Sequence, residues 1–256
     1  MSKSVLDLST EFVGRRALVT GGTRGIGAAI AQRLLDGGAT VVVTARSSSH
    51  ATPKGAKFIK GDVSTNEGAK ALAAETLKAL GGIDIIINNT GAARVHLQGT
   101  ASIPDAEWQD ALDMNFLSAV RVTNALLPAL KESKAGAIIN LSSGGATPLP
   151  GALGHYGAAK AALNVYTKTV ARELAPAKIR VNTVTPGTVT TPGGDEIRKT
   201  LTDAMGAPPE AIFATIPLGR PGQPSEIAEV VALLVSDRGQ WITGHNYYVD
   251  GGELEI

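Results

Sequence analysis

Short apolar runs rich in β-branched residues alternate along the chain with longer stretches whose apolar positions recur every three or four residues. The short runs are Ala17–Thr20, Thr40–Ala45, Lys57–Gly61, Ile83–Asn88, Ala137–Ser142, Ile179–Thr185 and Asn246–Val249. They are continuously apolar rather than alternating, as strands of a parallel sheet covered on both faces must be. The helical stretches between them are Gly25–Asp36, Asn66–Leu80, Asp105–Lys131, Tyr156–Leu174 and Ser225–Val235. Gly37-Gly38 and Gly81-Gly82 stand where helix C-caps belong. The order predicts one α/β domain over residues 1–256, a doubly wound parallel sheet of seven strands with ligands at the C-terminal ends of the strands.

Thr188–Arg220 breaks this rhythm with Pro192, Gly193-Gly194, Pro208-Pro209 and Pro217 around a short helical piece, Glu196–Ala204. An insertion of this length in a regular fold is expected to be a substrate lid (188–220) rather than a solvated loop.

Composition narrows the function. A chain of 256 residues with 43% hydrophobic content has enough apolar side chains for a full core, and a net charge of +1 supplies no field for nucleic acid or anionic lipid. There is no cysteine, hence no disulfide, thiolate chemistry or Cys-ligated metal. His50, His96, His155 and His245 are dispersed with no ligand spacing on a helix, so no metal site is expected. His96 and His155 are candidates for the wall of a substrate pocket. No leader-like or membrane-spanning apolar run occurs, and a cytoplasmic protein is expected.

The first strand leads into Thr20-Gly21-Gly22-Thr23-Arg24-Gly25-Ile26-Gly27, which opens the first helix. Glycines there let the backbone turn sharply and lie against a phosphate at the helix N-terminus; an ordinary glycine-rich turn is the alternative. The second strand ends Ala45-Arg46-Ser47, without the acidic residue that would bind a ribose 2′-hydroxyl. A guanidinium at Arg46 suits a 2′-phosphate, with Arg24 approaching from the other side. One charge-assisted bond of roughly 1.5–3 kcal/mol shifts preference about ten- to a hundredfold toward NADP(H).

Tyr156 and Lys160 lie four residues apart on one helical face. An ammonium about 4.5 Å from the phenolate, at an effective dielectric near 20, favours ionisation by roughly 3.7 kcal/mol. That is enough to bring a phenol close to working pH. Ser142-Ser143 end the fifth strand thirteen residues before the tyrosine.

TGxxxGxG, Asn88-Asn89-Thr90-Gly91, Asn115, Ser143, Tyr156, Lys160, Asn182–Gly187 and Val249–Gly252 occur in order over nearly the whole chain. The sequence thereby resembles the short-chain dehydrogenase/reductase family, with Thr90 in place of the usual alanine. The resemblance implies a Rossmann-type NADP(H)-dependent oxidoreductase acting on a small carbonyl or alcohol substrate. It implies Tyr156 as general acid and base, Lys160 lowering its pKa and holding the nicotinamide ribose, Ser143 on the substrate oxygen, and Asn115 holding a water that returns the proton. It implies cofactor contacts at Gly21, Thr23, Arg24, Gly25, Ile26, Gly27, Arg46, Ser47, Asp62, Val63, Asn89, Gly91, Tyr156, Lys160, Pro186, Gly187 and Val189. Among these, Asp62-Val63 would meet the adenine, Asn89 the adenosine ribose and Val189 the carboxamide. It further implies a homotetramer built on the helices Asp105–Lys131 and Tyr156–Leu174 and on Trp241–Ile256. Substrate contacts are expected from Arg94–Leu97, Gly144–Gly154 and the lid, including Leu149, Leu153, Arg198, Lys199, Ile212 and Phe213. A 3-oxoacyl-[acyl-carrier-protein] reductase is the second reading, although Ala177 stands where such enzymes often carry arginine, with Lys178 adjacent. A non-catalytic NADP sensor would be expected to lose Ser, Tyr or Lys, and all three are present.

Overall fold

Seven parallel strands form a single sheet in the order β3-β2-β1-β4-β5-β6-β7. They are β1 (Arg16–Thr20), β2 (Thr40–Ala45), β3 (Lys57–Lys60), β4 (Ile85–Asn88), β5 (Ala137–Leu141), β6 (Arg180–Pro186) and β7 (Asn246–Val249). The helices are α1 (Gly25–Asp36), α2 (Asn66–Leu80), α3 (Asp105–Leu112), α4 (Ser118–Lys131), α5 (Gly154–Leu174), α6 (Pro192–Met205) and α7 (Pro224–Val235). This computed structural model describes residues 7–47, 52–146 and 151–254. His50 and Leu149 lie outside the described residues.

The strands are apolar on both faces because each face carries its own core. Ala17 and Val19, Val41 and Val43, and Ile85 and Ile87 point to the side covered by α1 and α7. Leu18, Val42 and Ile86 point to the side covered by α2, α4 and the C-terminal part of α5. Strand order reverses between β1 and β4, and it is there that a doubly wound sheet opens a crevice at its C-terminal edge. Among the described residues no helix is long and apolar enough to cross a membrane.

Several elements differ from the periodicity. The helix expected over Asp105–Lys131 is interrupted by a π turn, Asp113–Leu117, which separates α3 from α4. Neither glycine nor proline marks that turn; it is held by the side chain of Asn115, described below. The expected strand residues Ile83 and Ile179 precede β4 and β6; beside Ile83, Asp84 is drawn off to the backbone N–H and guanidinium of Arg16 at 2.9 and 2.8 Å. The inserted helix begins earlier than Glu196, since the Thr191 hydroxyl accepts from Gly194 N–H at 3.1 Å and Pro192 occupies the first turn. Both ends of that insertion are stitched together: Thr190 N–H donates to Gly222 and Gly222 N–H to Thr188, each at 2.9 Å.

Candidate active site

A cleft of about 720 Å³ runs along the C-terminal edge of the sheet from β3 to the insertion. At one end lies the glycine turn. Gly21 and Gly25 have φ of +62° and +55°, a region other residues rarely enter. At Gly27 a Cβ would fall 2.3 Å from the Gly21 carbonyl oxygen and 2.4 Å from Asn89 Nδ2, so only glycine lets turn and helix meet. No side chain caps α1 and no acidic residue stands in its first turn, which leaves its N-terminus fit for an anion.

Asn89 ties this turn to the sheet. Its Nδ2 donates to the carbonyls of Thr20 and Gly21 at 2.9 and 3.1 Å, while Thr20 Oγ1 accepts from the backbone N–H of Asn89 and Thr90. Arg24 and Arg46 are exposed at the rim, and the Arg46 charge together with hydrogen bonds from Ser64 holds the Asp62 carboxyl below its usual range, the Ser64 bonds being the larger cause.

At the other end Ser143, Tyr156 and Lys160 meet on the cleft floor. β5 delivers Ser143, and α5 delivers the other two from one face. The Ser143 hydroxyl engages the Tyr156 phenol and accepts from Gly145 N–H at 3.2 Å. Lys160 is 3% exposed, and its Nζ donates to the Leu141 carbonyl at 2.8 Å. Here the structure corrects the expected electrostatics. Lys160 Nζ sits 5.9 Å from the Tyr156 ring centre, turned onto a carbonyl, and burial dominates both groups. Burial pushes the Tyr156 phenol up, against a smaller downward pull from Ser143, and brings Lys160 down to about 8. In this structure the tyrosine therefore carries its proton at neutral pH.

Of the residues expected to be catalytic or to touch the cofactor, Asn115 and Ser47 do not line the cleft. Asn115 lies 1% exposed inside the π turn. Its Nδ2 donates to the carbonyls of Ala92 and Ala111 at 2.8 and 3.0 Å, and its Oδ1 accepts from Ala92 N–H at 3.0 Å. Both side-chain donors are thus committed to the wall around Gly91, where a Cβ would lie 3.0 Å from Asn115 Oδ1 and 3.4 Å from Lys160 Nζ. His96 and His155 do not line the cleft either; they face one another behind it, ring centres 5.1 Å apart. Lys199, Ile212 and Phe213 are also outside it, whereas Arg94, Val95, Ile197 and Arg198 form part of its wall.

Sequence reasoning missed three features. Glu253, after β7, reaches back to accept from Thr188 N–H and hydroxyl at 2.5 and 2.6 Å, and Leu254 packs against Gly144. Asn88 and Asn140 are in register on β4 and β5, and the Asn88 amide donates to Asn140 and Thr123 while the Asn140 amide donates to Thr167. An asparagine at or next to the end of each of two apolar strands is a signal that could have shown this buried network. His96, Glu107 and His155, remote in sequence, come together.

Known proteins bear on this geometry. The model of a family described as Enoyl-(Acyl carrier protein) reductase matches residues 21–253. The chain is 37% identical over 249 residues to a 3-oxoacyl-[acyl-carrier-protein] reductase of Vibrio cholerae, covering 95% of this chain and 98% of that one. The Escherichia coli protein of the same description is 36% identical over 247 residues, covering 94% and 98%. Among solved structures, L-sorbose reductase from Gluconobacter frateurii complexed with NADPH and L-sorbose superposes with a TM-score of 0.87 at 31% identity, covering 97% of this chain and 99% of that one. Ligand-free aldohexose dehydrogenase from Thermoplasma acidophilum gives 0.86 at 29%, covering 96% of each. Fold and relatives together define an oxidoreductase. More particularly, the chain belongs to the short-chain dehydrogenase/reductase family.

Proposed function

We propose that the chain is a cytoplasmic, NADP(H)-dependent oxidoreductase interconverting a ketone and a secondary alcohol, with 188–220 as the substrate lid. The observation that carries this reading is the convergence of Ser143, Tyr156 and Lys160 on one floor of a cleft whose far end is the glycine turn. The residues present fit the cofactor. The uncapped start of α1 and the close passage at Gly27 form a phosphate cradle, and Arg24 and Arg46 stand at the rim as 2′-phosphate ligands. Asp62 and Val63 would border the adenine, and Pro186, Gly187 and Val189 the nicotinamide. When bound, NADP(H) supplies the hydride.

The chain itself positions the substrate and moves the proton. The Ser143 hydroxyl donates to the carbonyl oxygen of a ketone, an oxyanion-type contact that strengthens as charge develops there. The Tyr156 phenol, already hydrogen-bonded to Ser143, gives its proton to the same oxygen. Lys160 holds the ribose and the polarity of the floor. Asn115 keeps the Gly91–Ala92 wall in place around the ammonium.

The test is kcat/KM with NADPH and with NADH over a panel of ketones and β-ketoacyl thioesters. NADPH should be favoured about tenfold or more, and Ala45→Asp with Arg46→Leu should shift the preference toward NADH. Equal use of the two cofactors defeats the cofactor assignment. Tyr156→Phe should lose about 10²–10⁴-fold in turnover while keeping NADPH affinity; retention of more than about a tenth of the rate defeats the acid.

The second reading, a 3-oxoacyl-[acyl-carrier-protein] reductase, is favoured by the relatives of that description at 36–37% identity. Against it stands the pairing of the cations on and near the cleft wall. Arg94 is paired with Glu107 and Asp110, Arg198 with Asp195, and Lys199 with Asp203. Cations already neutralised in this way offer little to an acidic carrier protein, so turnover of free ketones above carrier-borne thioesters separates the readings.

A further inference from the structure

We propose that His96, Glu107 and His155 form a binding site for one divalent transition-metal ion of the zinc type, directly behind the wall of the cleft. The three residues come from the loop after β4, from α3 and from the first turn of α5. One ligand atom from each lies within 4.8 Å of the other two. His155 is 2% exposed, and its Nδ1 is buried without a hydrogen-bond partner; the same holds for His96 Nε2. Two imidazole nitrogens left unpaired beside a carboxylate, His96 Nε2 being 3.8 Å from Glu107 Oε2, are costly unless something binds all three.

The donor set selects the ion. Two imidazoles and a carboxylate suit Zn²⁺, Co²⁺, Ni²⁺ or Cu²⁺, whereas Mg²⁺ and Ca²⁺ ask for oxygen ligands throughout. Zinc bonds of about 2.0–2.2 Å in a tetrahedron place ligand atoms roughly 3.4 Å apart, so the three groups need to close by about 1 Å, with water as the fourth ligand.

Arg94 opposes the ion, since its Nη1 donates to both oxygens of Glu107 at 2.8 and 2.7 Å. It also reaches Asp110 at 3.2 Å, a second carboxylate to which it can withdraw. Affinity is therefore set by a competition between guanidinium and metal for Glu107. Removing the guanidinium should tighten metal binding, which a merely structural Arg94–Glu107 pair would not produce.

The protein carries its own reporter. Trp108 lies 6.2 Å from the His155 ring, and the other of the two tryptophans, Trp241, is 97% exposed. Trp241→Phe leaves Trp108 as the single tryptophan. The experiment titrates Co²⁺ and Zn²⁺ into the untagged, chelator-treated full chain carrying Trp241→Phe. Trp108 quenching is followed with Co²⁺, and heat of binding with Zn²⁺. One ion per chain is expected, with quenching that Mg²⁺ does not reproduce. His96→Asn and Glu107→Gln should each weaken binding about tenfold or more, and Arg94→Gln should strengthen it several-fold. Using His96→Asn and Glu107→Gln separately keeps the test sound if one variant fails to fold by circular dichroism. Absence of quenching, or zinc binding that survives both substitutions, overturns the site.

Discussion

Lys160 shows what burial does to a charge. At 3% exposure its pKa falls to about 8, from 10.5 when the chain is unfolded. Below pH 8 the ammonium is charged in both states and its desolvation costs stability; above 10.5 it is neutral in both and the cost is gone. Stability relative to Lys160→Met should thus improve as pH rises from about 8 to 10.5. The improvement is about 3 kcal/mol at most. Urea midpoints of the two proteins at pH 7 and pH 10 measure this, and a gap independent of pH contradicts it. At this scale the sequence was readable where chemistry depends on spacing. Tyr156 and Lys160 four apart, and Ser143 thirteen residues earlier, were visible as a set. The direction of their pKa shifts was not, because it depends on the Leu141 carbonyl that receives the ammonium and on how completely the pair is enclosed.

Elements make the same point through their ends. The turn between β1 and α1 tolerates no side chain at Gly27, where the nearest obstacles are a backbone carbonyl and the Asn89 amide that anchors it. Gly27→Ala should therefore cost about 1–3 kcal/mol in a urea melt and weaken nucleotide binding. Gly193→Ala, in the first turn of α6 with nothing within 4 Å of the added methyl, should stay within about 0.5 kcal/mol and serves as its control. Destabilisation of equal size in the two variants would contradict the argument. Five of the seven strands needed adjustment at an end, while all seven existed where continuous apolar runs placed them. The π turn at Asp113–Leu117 had no local sign, since it is maintained by Asn115 reaching a loop twenty-three residues earlier. Periodicity records which face of an element is apolar, and a contact of that kind leaves the period unchanged.

For the whole molecule, the doubly wound parallel sheet with its ligand edge at the C-terminal ends of the strands followed from the alternation of strand and helix, whereas the strand order that sets the crevice at the β1–β4 reversal came from the structure. What stayed hidden were clusters assembled from distant segments, such as His96, Glu107 and His155. The surface carries a further expectation. Val165 on α5, Leu218 and Trp241 are large apolar residues at 68%, 72% and 97% exposure. Burying them between copies of the chain favours a tetramer with twofold axes. Light scattering should give four chains per particle at micromolar concentration, and a stable monomer there contradicts it. The clamp from Glu253 to Thr188 adds a matter of timing. The glycine turn needs only residues next to the first strand, yet the Thr188 loop, whose neighbours Gly187 and Val189 line the cleft, gains its anchor only once residue 253 has been synthesised. A nascent chain can thus assemble β1 to β6 and both cores while one end of its cleft remains unfastened. A stop at Gly252 would leave every strand in place with the Thr188 loop untied.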